Sequence, residues 1–238
     1  MLYSVAKARV QLNGATNVAT NLAQLLLSIL PFALASMVSP LAIITVMAVL
    51  SATTQRAVKA ALFTITYAAA FSSVCLLLLA IGSAATSGGT PSRLTAGIDI
   101  IAGIILLYAA GRSLRRGTAS KSLNPEAMSV AAVVSMGVLF SAGNVSSLIP
   151  ALVAGKDIGV AAVPPIDKAI AFAFLLIIAL SWVWVPVAVY LVTPSDFDRL
   201  LDPVIRFLRQ HGGQMMAAVF LLIGLYLIFR GATDFVAL

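Results

Sequence analysis

The apolar residues of this chain fall into long continuous runs separated by short polar gaps. A membrane-spanning helix needs about 20 predominantly apolar residues, and six runs meet that length, at roughly 24–51, 58–84, 94–111, 128–154, 168–193 and 213–231. The gaps read SATTQRAVK, ATSGGTPSR, GRSLRRGTASKSLNPE, AGKDIGVAAVPPIDK and TPSDFDRLLDPVIRFLRQHGG. Barrel strands would alternate apolar and polar positions over short segments, and these runs do not. The pattern predicts an all-α integral membrane protein, with residues 1–238 forming one transmembrane domain of six helices. In the last gap, Phe197, Leu200, Leu201, Val204, Ile205 and Leu208 follow helical spacing while Arg199, Arg206 and Arg209 take other faces. This predicts an amphipathic helix over 194–210 lying at the membrane interface.

Two of the runs are interrupted. The first carries Ser36, Ser39 and Pro40 within SMVSPLAII, and the fourth carries Asn144, Ser146, Ser147 and Pro150 within SAGNVSSLIPALVAG. Proline inside a helix removes a donor and frees an earlier carbonyl, and in lipid that carbonyl must find a partner. Either the serines and the asparagine satisfy a kink, or the helices break and present backbone and side-chain groups to a substrate pathway.

The two interruptions occupy corresponding places in the two halves of the chain. The third and sixth runs also end alike, as LLYAAGR (106–112) and GLYLIFR (224–230). Three spans per half force the second copy upside down, the inverted-repeat design of many secondary transporters. The expected repeats are 24–111 and 128–231.

Composition sharpens this picture. The 238 residues are 61% hydrophobic and only 10% charged, against about 25% charged in soluble domains, and mean hydropathy is +1.06. The formal charge of +7 comes from loop Lys and Arg, which set topology and do not imply nucleic acid. With an even number of spans both termini share one side. That side holds six basic residues and the other holds nine, including the RSLRR cluster. The expectation is a multi-pass protein of the plasma (inner) membrane with both termini outside.

Candidate chemistry is sparse. The only cysteine is Cys75 and the only histidine is His211. No paired carboxylates, metal-ligand set, nucleophile–base pair or phosphate-binding loop appears, so no enzyme activity, metal or cofactor is expected. Asp99 sits five residues into the third run, and an intramembrane acid is a functional hypothesis by default. It either relays protons or, near the end of its span, meets water. Asp157 and Asp167 are expected as solvated loop residues beside Lys, and Trp182 and Trp184 as part of an interfacial aromatic belt. Thr64, Thr66, Ser72 and Ser73 are expected either to bond back onto their own helix or to pack helices together, not to act as ligands.

Six spans, SMVSPLAII (36–44), a basic first loop and FSAGNVSSLIPALVAG (140–155) together resemble the lysine-exporter superfamily. Within it the chain looks most like the glycopeptidolipid- and sulfolipid-addressing (GAP/Sap) proteins of mycobacteria and their relatives. The resemblance implies a six-helix exporter of an envelope lipid or lipid-linked precursor, working with larger envelope-export proteins, and is compatible with a homodimer. It implies that Ser39-Pro40 and Asn144 mark paired broken helices. The family's usual Asn-Pro-Lys is absent: Val145 and Ser146 follow Asn144. Two other classes stay open, a proton-coupled exporter of amino acids or cations and a non-transporting accessory subunit.

Overall fold

A computed structural model describes residues 21–50, 55–85, 93–115, 129–195 and 197–237. Lys7, Arg9, Arg116, Lys121 and residue 128, where the second repeat is expected to begin, lie outside the described residues. The described residues form helices and connections, with no strand. In chain order the helices are α1 (Leu22–Met37), α2 (Pro40–Leu50), α3 (Arg56–Ala85), α4 (Arg93–Arg115), α5 (Val130–Gly143), α6 (Val145–Val160), α7 (Pro165–Ala179), α8 (Ser181–Val192) and α9 (Phe197–Ala237).

Three helices are each long and apolar enough to cross a membrane, within α3, α4 and α9. Three consecutive pairs pass the same test only as bent units: α1 with α2 at 53°, α5 with α6 at 69° and α7 with α8 at 67°. Among the described residues the count is therefore three spans, or up to six if each bent pair is one span. The interrupted runs of the sequence are two of these pairs. The third pair is a bend that the sequence did not lead us to expect.

The segment expected as an interfacial helix, 194–210, supplies the first turns of α9, which runs on into the last apolar stretch with Pro203 inside it. The fourth run also reaches further than its apolar residues suggest. α6 continues through Lys156 and Asp157 to Val160, so these two are helix residues.

The core centres on α3. Phe63, Tyr67, Phe71 and Cys75, four apart, are buried on one face, and the three rings follow one another at centroid distances of 5.8 and 6.2 Å. Ile65, Leu76 and Leu77 on other faces are exposed, as a helix in lipid allows. Side-by-side packing relies on small residues, as membrane interfaces do. A Cβ on Gly82 of α3 would lie 2.7 Å from the Lys156 carbonyl, so α6 is drawn tight against α3. A Cβ on Gly231 of α9 would lie 2.8 Å from the Ala96 carbonyl of α4. This close approach sets Arg230 beside the start of α4.

Candidate functional site

The first break is a stop and a restart. α1 ends at Met37, and Ser39 accepts a hydrogen bond from the Ala42 amide on its hydroxyl at 3.3 Å. Ser39 therefore caps α2, and Pro40 opens it at the position where a missing N–H costs nothing. The second break falls on Asn144, with φ −84° and ψ 61°, which ends α5 and begins α6 without capping α6 by its side chain. Pro150 does not make this break. It lies buried inside α6.

Freed from capping, the Asn144 carboxamide reaches across the molecule. Its Nδ2 donates to Ser39 Oγ at 2.7 Å and to Tyr67 Oη at 2.9 Å. Ser147 Oγ, one turn into α6, donates to the Ser36 carbonyl. That carbonyl belongs to the last turn of α1, which has no intrahelical partner. Ser36 Oγ bonds back to the Phe32 carbonyl at 2.8 Å. Each break is thus completed by side chains of the other. Ser36, Ser39, Asn144 and Ser147 are all buried and form one hub. Pro40 and Ser146 are placed by backbone alone, as the first residue of α2 and the second of α6; their side chains lie outside the described set.

The third break has its own closure. Trp184 Nε1 donates to the Ile177 carbonyl at 3.0 Å, satisfying a group that the bend between α7 and α8 exposes. Thr64, Thr66 and Ser73 bond back to their own helix at 2.8–2.9 Å, as expected.

A second polar cluster lies toward the far end of α6. Asp99 is 1% exposed and Lys156 is 2% exposed, and the two form an ion pair. Arg230 places Nη1 and Nη2 on the two oxygens of Asp157 at 2.7 and 2.9 Å, the bidentate geometry that makes such pairs strong. Lys156 also lies 3.3 Å from Asp157, and Arg230 Nε lies 3.6 Å from Asp99. Two acids and two bases from α4, α6 and α9 therefore close a neutral ring of contacts. Asp157 is not the solvated loop residue its neighbours suggested. The mismatch arises because α6 outlasts its apolar run and carries the Lys-Asp pair inward.

These groups wall a cavity of about 260 Å³. α1 contributes Leu25 and Ser28, α4 contributes Thr95 and Asp99, α6 adds Lys156 and Asp157, and α9 adds Tyr226, Phe229, Thr233 and Asp234. Its outer lining is mixed: Tyr226 is 54% and Phe229 71% exposed, and Ser28, Thr233 and the half-buried Asp234 stand with them. Of the residues singled out in the sequence, Asp99 lines this cavity, while Ser36, Ser39, Asn144, Ser147 and Pro150 do not.

Sequence reasoning did not place Lys156 at a site, took Asp157 for a solvated loop residue, and used Tyr226 and Arg230 only as part of the repeated span ending GLYLIFR. A signal was present. A buried Asp99 demands a cation, and GKDIG (155–159) sets a Lys-Asp pair inside the Gly-x-x-x-Gly spacing of tightly packed membrane helices.

Long apolar helices, bent apolar helix pairs and a buried ion-paired cavity are those of an all-helical, multi-pass membrane protein. The chain belongs to the Sap, sulfolipid-1-addressing protein, family, whose model matches residues 29–233. Comparison with curated proteins and with solved structures gives no match.

Proposed function

We propose that this protein is a plasma-membrane translocator that moves an envelope lipid or lipid-linked precursor outward. The observation that carries the reading is the cavity: its buried lining holds the ion-paired Asp99, Lys156 and Asp157, and its outer lining includes the exposed rings of Tyr226 and Phe229 on α9. A site charged inside, with exposed aromatic rings at its outer edge, suits an amphiphile whose tails stay in the bilayer. A closed, uniformly polar chamber would suit a small solute instead. The family's description attaches lipid addressing to its namesake; for this chain the reading stays with the wider class of envelope lipids.

Two inverted three-helix repeats are part of the proposal. The second span packs along the fourth, the fifth along the first, and the third along the sixth. A two-fold axis in the membrane plane produces this exchange of partners. The copies differ: α3 is one helix where its counterpart is the bent α7–α8 pair, and α4 has 23 residues where α9 has 41. In this reading the hub at Ser39 and Asn144 is the midplane brace about which the halves move, and larger envelope-export proteins receive the lipid.

The orientation with both termini outside gains support from the buried cations. Lys156 and Arg230 are neutralised on the terminal side and Lys59 is buried on the other. The loop balance then becomes eight basic residues against four, which favours the eight on the cytoplasmic face.

The decisive experiment is lipid analysis of the outer envelope in a strain lacking the gene. The expected result is one lipid class retained at the inner membrane and restored by the intact gene. An unchanged lipid profile with a solute accumulating in the cytosol would overturn the proposal.

A further inference from the structure

Resting on the lipid reading above, we infer that the cavity is a charge-selective headgroup site: it takes an uncharged, hydroxyl-rich head and excludes an anionic one, with Asp234 setting the exclusion. The argument begins with a charge count. The walls carry three carboxylates, Asp99, Asp157 and Asp234, against two cations, Lys156 and Arg230. Both cations are already held by Asp99 and Asp157. An anion entering here would have to displace a carboxylate from its partner while facing a third one.

Hydrogen-bond direction points the same way. Ser28 spends its hydroxyl hydrogen on the Leu25 carbonyl, and Thr233 spends its own on the Arg230 carbonyl, each at 2.8 Å. Their oxygens are left to accept. The paired carboxylates also keep lone pairs, since each has about four acceptor sites. These groups offer acceptors, while the cationic donors of Lys156 and Arg230 are engaged by Asp99 and Asp157, so an anionic group, which only accepts, must compete with those carboxylates. Hydroxyl groups donate as well as accept and match it. Tyr226 adds an aromatic wall for the apolar face of a ring. A cationic head would meet Lys156 and Arg230 beside every carboxylate except Asp234. The volume, about 260 Å³, equals roughly nine waters at ~30 Å³ each, which is room for one ring-sized head.

The test uses the full chain in phosphatidylcholine nanodiscs, with empty nanodiscs subtracted. The probes are hexyl glucoside, its sulfated counterpart, hexylammonium and free glucose, read by saturation-transfer NMR. Hexyl glucoside is expected to bind at least about tenfold more tightly than the sulfated probe and hexylammonium, and free glucose to bind weakly. Asp234→Asn, at a half-buried rim position, is expected to shrink the discrimination against sulfate several-fold while Asp234→Glu preserves it. A sulfated or ammonium probe binding as tightly as the glucoside overturns the headgroup assignment and leaves the lipid reading standing. So does discrimination that survives Asp234→Asn. Glucose binding as tightly as hexyl glucoside overturns the lipid reading and leaves the headgroup class standing. Binding by none of the four overturns both.

Discussion

Asn144 and Ser39 are 105 residues apart in sequence, and the amide of one lies 2.7 Å from the hydroxyl of the other. Both stand where a helix is broken. The bond therefore joins the two breaks directly, with Tyr67 of α3 as the third member.

Removing the amide leaves the Ser39 and Tyr67 oxygens buried without it. Asn144→Ala is expected to destabilise the protein by about 1–3 kcal/mol, the cost of stranding buried polar groups. Ser39→Ala removes part of the same unit, so the double variant should cost less than the sum of the singles. Urea or thermal unfolding in detergent, run as a double-mutant cycle, measures this. Strict additivity would show that the hub does not act as one unit.

The ion cluster makes a larger prediction. Asp157→Asn leaves the Arg230 guanidinium without its bidentate partner, and breaking a buried pair typically costs about 3–5 kcal/mol. The paired replacement Asp157→Leu with Arg230→Met is expected to recover much of that loss, because it removes both buried charges. Unfolding midpoints of the parent and the two variants decide the point. If the single variant is as stable as the parent, the pair is not a structural tie.

The third bend should respond to a subtler change. Trp184→Phe keeps an aromatic ring but deletes the donor to the Ile177 carbonyl. The expected loss is about 1 kcal/mol, with faster amide exchange confined to the junction of α7 and α8. Hydrogen exchange followed by mass spectrometry tests it, and uniform protection across that junction would contradict it.

Topology can be read with one engineered thiol. The native Cys75 is free and fully buried, so it contributes little background. Arg115→Cys, at the end of α4, is expected to resist a membrane-impermeant maleimide in intact cells and to react after permeabilisation. Labelling in intact cells would reverse the proposed orientation.

Much of this architecture could be read from residue order. The apolar runs gave α3, α4 and the membrane part of α9, because a span needs only length and greasiness. SMVSPLAII and SAGNVSSLIP marked two bends, because Ser, Asn and Pro in lipid have few other uses. What escaped was polarity that folding hides. Lys156 and Asp157 sit at the edge of an apolar run, and sequence alone cannot tell an edge that dips into the bundle from one that leaves it. The same holds for Arg230, whose spacing suits an anchor as well as an ion pair. The bend at Leu180 escaped because Trp184 repairs it from four residues away, and no local pattern encodes that repair.

The cross-braced breaks have a consequence for biosynthesis. As the ribosome delivers the chain, α1 to α4 enter the membrane before the residues that complete them exist. The Ser36 carbonyl must wait for Ser147, and Asp99 must wait for Lys156. The amino-terminal half is thus an unfinished object until α6 arrives, and Asp99 gains its second cation only when α9 does. A gene cut between α4 and α5 should yield two fragments that are each degraded alone and survive when made together.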